Sequence, residues 1–311
     1  MKEDQFSLDE TTLSVDLSDA TQAVKESRFE DALNLLKVLL KENPNHIDIL
    51  YLSAVSTRFL KQFEVSLKHI ERLLFNAPDM GRAYQELGHL NRDMGNEEKA
   101  VMHYRQACEL NPALPSSWSY LHKYFEKIQN KPAADHALEQ IKKLQSLPGL
   151  LLFIEQILNE GRLGLAETKC RAFLKENPTH TYAMSLLAEI ANRFGYFDDA
   201  EFLLQKAVEF KPKDGDLRLK YASILRKKQK FAQTTEQVNI LCDQFPDNLN
   251  YQAQKASDVM QGGDHSKAIT MFDDILKKNP YNFSTLTSKG HAQKTLGSTD
   301  QAIKSYQSAY Q

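Results

Sequence analysis

Apolar residues recur along this chain at the spacing of amphipathic helices, and polar or helix-breaking residues interrupt them at regular distances. Prolines mark these interruptions in two runs, each with a constant spacing of 34 residues. The runs are Pro44, Pro78 and Pro112, then Pro178, Pro212, Pro246 and Pro280. Because proline lacks a backbone N–H and restricts the residue before it, each should follow the end of a helix. The pattern therefore predicts repeated helices and no strands.

Frames of 34 residues set on these prolines divide the chain into nine repeats, each a pair of helices. Repeats 1 to 9 are 13–46, 47–80, 81–114, 115–146, 147–180, 181–214, 215–248, 249–282 and 283–311. The interval from Pro112 to Pro178 is two residues short of two repeats, so the fourth repeat has a shortened junction. We expect three parts: a polar tail at 1–12, repeats 1 to 4 at 13–146, and repeats 5 to 9 at 147–311.

Small residues fall where the two helices of a repeat must approach each other, and large ones fall where a groove must be filled. Position 8 of most repeats is alanine or glycine, and position 20 is alanine in seven of the nine. Position 24 is large and apolar, as in Tyr104 and Phe272, with Cys170 the exception. Glycines at the turn between the paired helices, as in Gly95 and Gly195, are typical of left-handed helix ends.

The third repeat shows a recognisable residue pattern, with Tyr84, Leu87 and Gly88 in its first helix. Its second helix and the following break supply Ala100, Tyr104, Ala107 and Pro112. This pattern resembles that of the tetratricopeptide repeat family. The resemblance implies an all-α fold, a right-handed superhelical solenoid of about nine helix-turn-helix repeats, and a scaffold that binds protein or peptide.

Charge and composition exclude several other functions. Lys and Arg total 39 against 41 Asp and Glu, a net charge of −2, so we expect no nucleic-acid partner. The polar start Met1-Lys2-Glu3-Asp4 does not resemble a signal peptide, and no apolar run is long enough to span a membrane. Three scattered cysteines indicate a reducing compartment. We expect a cytoplasmic protein without a membrane partner.

Catalytic and metal-binding motifs are absent from the sequence. It contains no phosphate-binding glycine loop of the P-loop type, no His-Glu-x-x-His, no Gly-x-Ser-x-Gly and no Cys-x-x-Cys. The sequence therefore predicts no catalytic residue, no metal and no cofactor for this chain. Trp118 and the cysteines are interpreted as packing residues rather than ligands.

Partner binding is expected on the concave face, which the first helix of each repeat lines. Twelve residues at its positions form the predicted groove. They are Arg82, Gln85, His89, Arg92, Tyr120, Lys123, Lys127, Tyr182, Arg193, Lys220, Arg226 and Lys227. The set is mildly basic, which favours an acidic or extended partner, although interspersed carboxylates also allow an ordinary solvated face.

An apolar alternative to the basic groove involves two other stretches of the first helices. Repeat 2 supplies Tyr51, Leu52, Val55 and Phe59, and repeat 5 supplies Leu151, Leu152 and Leu158. Exposed, these side chains would form a contact surface; packed between neighbouring helices, they would be core. The sequence leaves both possibilities open.

The last repeat is incomplete, which predicts that the chain is part of a longer protein or dimerises through its uncapped end. The segments 191–207 and 290–303, the second beginning Gly290-His291-Ala292, resemble repeats of bacterial tetratricopeptide-sulfotransferase proteins. That resemblance implies an alternative: an acceptor-recognition or regulatory region of an enzyme. Its catalytic domain would lie beyond residue 311 and use phosphoadenosine phosphosulfate. In that case the missing domain is itself a partner.

Overall fold

The computed structural model describes residues 17–310 as helices joined by short turns, and this range contains no strand. It separates into an N-terminal unit, Met1–Ala166, and a C-terminal unit, Glu167–Gln311. The point of division falls inside the helix Leu163–Glu176. The predicted polar tail at 1–12 lies outside the described residues.

The helices follow the repeat frames in pairs. Residues 17–25 form α1. The others as far as the division are α2 (Phe29–Glu42), α3 (Ile47–Phe59), α4 (Phe63–Asn76), α5 (Gly81–Asp93), α6 (Glu97–Leu110), α7 (Pro115–Lys127), α8 (Lys131–Gln145), α9 (Gly149–Asn159) and α10 (Leu163–Glu176). Beyond it are α11 (Thr181–Phe194), α12 (Phe197–Phe210), α13 (Gly215–Lys227), α14 (Phe231–Gln244), α15 (Leu249–Gln261), α16 (His265–Lys278), α17 (Phe283–Thr295) and α18 (Thr299–Tyr310). The predicted all-α architecture of helical pairs is confirmed.

The turn between paired helices has the same backbone conformation in every repeat. Its left-handed residue is a glycine in five repeats, as predicted, for example Gly95 (φ +80°) and Gly195 (φ +81°). The other four repeats use residues with side chains, namely Ser27, Lys61, Gln129 and Gln229. Position in the frame, rather than residue type, therefore sets this turn.

Glycine at position 8 allows a large aromatic ring to lie against the first helix. A Cβ atom added to Gly88 would lie 2.7 Å from the Tyr104 ring, and one added to Gly290 would lie 2.5 Å from the Tyr306 ring. Such distances are too short for any side chain. Repeats 3 and 9 therefore share one form of helix crossing, in which a position-24 tyrosine fills the space that position 8 leaves.

The proline after each second helix leaves its carbonyl oxygen to be satisfied, and in three repeats the next first helix supplies the donor. Trp118 Nε1 donates to the Pro112 oxygen at 2.8 Å, and Arg218 Nη2 donates to the Pro212 oxygen at 2.8 Å. Gln252 donates to Pro246 in the same way. Trp118 thus acts structurally, as predicted.

Repeat 4 ends differently because Ser146 stands where other repeats have their proline. Without that break, α8 extends to 15 residues, and Pro148 instead precedes α9, which has only 11. The predicted shortened junction is therefore the three-residue connection 146–148.

Candidate protein-binding surface

The seven predicted groove residues of the N-terminal unit lie on two neighbouring first helices. Those on α5 are Arg82, Gln85, His89 and Arg92, and those on α7 are Tyr120, Lys123 and Lys127. Their surroundings differ sharply between the beginning and the end of these helices. At the beginning the residues are covered by another part of the chain, and at the end they are exposed.

Arg82, at the beginning of α5, is bound by a carboxylate from beyond α9. Its Nε and Nη2 atoms donate to the two Glu160 carboxylate oxygens, each at 2.7 Å. The side chains are only 13% and 4% exposed, so this is a buried, two-pronged ion pair. Burial alone would lower the pKa of Arg82, but the hydrogen bonds and charge of Glu160 outweigh it and raise that pKa. Arg82 is therefore fully charged and already paired.

A second ion pair of opposite polarity lies beside the first. Arg162 donates from Nη1 and Nη2 to the two carboxylate oxygens of Asp48, at 2.7 and 2.9 Å. Asp48 belongs to the first turn of α3, so the turn after α9 meets the beginnings of both α3 and α5.

Amide groups extend the same contact to the beginning of α7. Gln156 Nε2 donates to the Ala113 carbonyl at 2.8 Å, and Asn111 Nδ2 donates to the Gln156 carbonyl at 3.1 Å. Asn159 Nδ2 donates to Asn111 Oδ1 at 3.1 Å. We call the surface formed by Asp48, Arg82, Asn111 and Ala113 the α9 groove.

The apolar side chains of α9 are buried along its length. Leu151, Ile154 and Ile157 are fully buried and Leu158 nearly so. Of the apolar residues in repeat 2, Leu52 and Val55 are buried, whereas Phe59 is 51% exposed. Phe59 stacks on Phe29 of the preceding helix, with ring centroids 4.2 Å apart. The structure thus favours the core alternative for most of these residues.

Tyr51 joins the apolar residues to the charged ones. The Arg82 guanidinium carbon lies 4.9 Å from the centre of its ring, a cation–π contact. Burial raises the pKa of Tyr51 to about 12, so its hydroxyl stays protonated at neutral pH.

The middle of α5 is occupied by a buried polar network. Arg58 of α3 donates to Glu86 at 2.5 Å and to Asp93 at 2.8 Å. Nearby, the His89 Nδ1 atom lies 2.6 Å from the Tyr104 hydroxyl. Burial, helped by the charges of Arg58 and Arg92, lowers the pKa of His89 to about 3. His89 is therefore neutral and held within the fold.

The ends of α5 and α7 present the remaining predicted residues to solvent. Arg92, Lys123 and Lys127 are exposed. Lys127 pairs with Glu97 at 2.8 Å, but both side chains are about half exposed or more, at 63% and 49%. The Tyr120 ring lies against Tyr104, with centroids 4.4 Å apart. This region, comprising Arg92, Tyr120, Lys123 and Lys127, we call the basic patch.

In the C-terminal unit, most predicted residues with a described contact join neighbouring repeats. Lys220 of α13 donates to the Ser185 hydroxyl of α11, and Lys227 donates to Asn192, each at 2.7 Å. Arg226 forms a two-pronged pair with Asp258 of α15, at 2.7 and 3.0 Å. Arg193 instead pairs along its own helix with Glu189, and Tyr182 is half-buried on α11.

A shallow cavity that the sequence did not predict opens beside α12. It measures about 210 Å³, and Leu187, Ala191 and Leu203 contribute to its lining. Tyr196 and Phe202 also line it and are about 60% exposed. Exposed aromatic residues at a turn are a sequence signal for such a cavity, although the same residue types serve as core elsewhere in the repeats.

The cysteines and the other possible metal ligands form no cluster in the part of the chain that the structure describes. Cys108 and Cys170 are buried, and burial raises the pKa of each thiol to about 12. Within residues 17–310, no three His, Cys, Asp or Glu side chains come together as a metal site.

Comparison with known proteins agrees with the repeat pattern. Residues 81–114 and 283–311 match the family model described as Tetratricopeptide repeat, so the chain contains tetratricopeptide repeats at these two places. They are the two repeats with the glycine–tyrosine crossing. A comparison with curated proteins finds no match.

Several solved structures are similar to parts of the chain at low identity. The crystal structure of MamA is 17% identical, with a TM-score of 0.44, over 50% of this chain and 92% of that one. The Cut9–Hcn1 hetero-tetramer of the APC/C is 16% identical, with a TM-score of 0.42, over 94% of this chain and 60% of that one.

None of the helices from residue 17 to residue 310 combines the length and apolar character needed to cross a membrane.

Proposed function

We propose that this chain is a non-catalytic scaffold that binds an acidic protein segment through the basic patch at the ends of α5 and α7. The observation that carries this proposal is the contrast along α5 and α7. Their beginnings are covered by the chain itself, whereas Arg92, Lys123 and Lys127 stand exposed at their ends.

The existing partners of the basic patch are easily replaced. Lys127 and Glu97 form a surface pair, and such pairs contribute little because water solvates both charges. Arg92 pairs with its exposed neighbour Asp93 at 2.7 Å, although Asp93 is also held by Arg58. A carboxylate-rich segment can therefore compete for these cations without disturbing the buried network.

In the C-terminal unit, the exposed Lys220 and Lys227 supply comparable positions. Each makes a single hydrogen bond to a neutral side chain, Ser185 or Asn192. A carboxylate would give either lysine a charge-assisted bond, which is stronger than a neutral one. Arg226 is less suited, because its pair with Asp258 is largely buried.

The test is binding of acidic peptides to a chain carrying Arg92→Glu, Lys123→Glu and Lys127→Glu. A matched control carries Lys99→Glu, Lys142→Glu and Lys143→Glu, which are exposed on second helices of the same unit. We expect the patch variant to bind at least about tenfold more weakly and the control to bind normally. Wild-type binding should also weaken as salt is raised.

Equal loss of binding in both variants would mean that net charge, not the basic patch, attracts the peptide. Unchanged binding in the patch variant would refute the proposal outright. Melting temperatures of both variants should stay close to that of the wild type, since all six residues are exposed.

A second hypothesis rests on the sequence resemblance of 191–207 and 290–303 to sulfotransferase-associated repeats. In it, the repeats present an acceptor to a catalytic domain encoded further along the parent gene. Assaying the full natural gene product for sulfate transfer from phosphoadenosine phosphosulfate tests it, and a product without that activity would count against it. The cytoplasmic location, bacterial origin and dimerisation through the last repeat likewise stay predictions.

A further inference from the structure

The contact between α9 and the α9 groove differs from the ordinary contact between neighbouring repeats. In the C-terminal unit, α11 and α13 are joined at matching levels, Ser185 with Lys220 and Asn192 with Lys227. By contrast, the end of α9 and the turn after it meet the beginnings of α3, α5 and α7.

The chemistry of this contact defines what the groove accepts. An arginine of the groove takes Glu160, and an aspartate of the groove takes Arg162, so the two ion pairs have opposite polarity. Gln156 both donates to and accepts from the 111–113 turn. Two-pronged pairs and reciprocal amide bonds impose direction and register, since a shifted helix would bring like charges together.

The apolar part of the contact adds burial to this register. Ile154, Ile157 and Leu158 are buried and lie on the same stretch of chain as Gln156 and Glu160. The groove therefore fits a helix with buried aliphatic residues in this order, ending in Glu-x-Arg. A second copy of this chain carries that segment by definition.

We propose that the α9 groove pairs two copies of this chain, each inserting its α9 into the groove of the other. The exchange preserves every contact described above and requires only that the connection 146–148 open. This proposal does not depend on the basic patch, which lies at the opposite ends of α5 and α7.

A single chain should favour its own α9, because the linked segment has an effective concentration in the millimolar range. The exchanged dimer should therefore form when the internal contact is mismatched and the contact between copies is matched. Charge reversal creates this situation with two complementary variants.

The groove-reversed variant carries Asp48→Arg and Arg82→Glu, and the α9-reversed variant carries Glu160→Arg and Arg162→Glu. Each alone opposes like charges at both ion pairs. An equimolar mixture restores both pairs between copies, and the quadruple variant restores them within one chain. Size-exclusion chromatography with light scattering, at equal total concentration, reports the mass of each sample.

We expect the mixture to give a species of about twice the 35.6 kDa chain mass and the quadruple variant to stay monomeric. A mixture that elutes as the sum of two monomers overturns the proposal, as does a quadruple variant that dimerises equally well. If a reversed variant does not fold alone, the two are refolded together. A folded dimer then supports exchange, and an unfolded mixture overturns it. A quadruple variant that fails to fold also contradicts the pairing on which the exchange depends.

Discussion

Gly88 and Tyr104 illustrate how one missing side chain supports a helix crossing. The tyrosine ring occupies the space beside Gly88, and its hydroxyl meets His89 Nδ1 at 2.6 Å. Repeat 9 reproduces the arrangement, with the Tyr306 hydroxyl 3.0 Å from His291 Nδ1. The recurrence of glycine, histidine and tyrosine in two distant repeats indicates a shared structural unit rather than a ligand site.

Replacing Gly88 with alanine should destabilise the chain by about 1–3 kcal/mol, because the new methyl group overlaps the buried Tyr104 ring. Chemical denaturation measures this change. Gly164→Ala is the control: nothing lies within 4 Å of the added atom, and alanine favours a helix interior. The control should gain up to about 1 kcal/mol. Equal effects of the two substitutions would contradict the close crossing.

His89 should make stability depend on pH. Its pKa is about 3 in the folded chain and near 6.5 when unfolded, so between these values the unfolded chain binds the additional proton. The contribution of His89 is complete above pH 6.5 and is lost as pH falls towards 3, at no more than about 1.4 kcal/mol per pH unit. Urea titrations across this range should show a shallower slope for His89→Gln. A slope identical to the wild type would show that His89 is not buried in its neutral form.

The helical pairs are the level at which the sequence was most informative. Proline spacing located the helix ends, since α2, α4 and α6 each end two residues before a proline. Glycines located five turns, but the left-handed Lys61 and Gln229 could be placed only by the repeat frame. Local rules reach this far because each helix pair is built from residues close together in the chain.

The turn at Gln229 provides a test of the frame itself. Its left-handed backbone, φ +58°, disfavours a residue with a Cβ atom, so Gln229→Gly should stabilise the chain by up to about 1 kcal/mol. Gln205 is exposed inside α12, where glycine should instead cost about 1 kcal/mol. Thermal unfolding of the two variants should therefore shift in opposite directions. Two shifts in the same direction would place the turn elsewhere.

Several predicted site residues took on roles that the sequence could not reveal. Arg82 was predicted to face a partner, but it binds Glu160, 78 positions away in the chain. Arg226 and Lys227 similarly connect to neighbouring repeats. Position within a repeat indicates which face a side chain occupies. It does not indicate which distant segment covers that face.

At the scale of the whole molecule, the account turns on α9, which covers the beginnings of α3, α5 and α7 in the N-terminal unit. This covering leaves the basic patch as the exposed part of the predicted groove there. It also supplies the segment that two copies could exchange. Both proposals would lose their basis if the pairs around α9 did not form.

The most direct measurement is a double-mutant cycle on Arg82 and Glu160, using Arg82→Ala, Glu160→Ala and the double variant in chemical denaturation. Each single change should cost about 3–5 kcal/mol by stranding a buried charge. The double change should cost less than their sum, with a coupling of about 1–3 kcal/mol. The exposed pair Lys277 and Asp274 is the control and should show no measurable coupling. Additivity at Arg82 and Glu160 within about 0.5 kcal/mol would contradict the account, because α9 would then not occupy the groove.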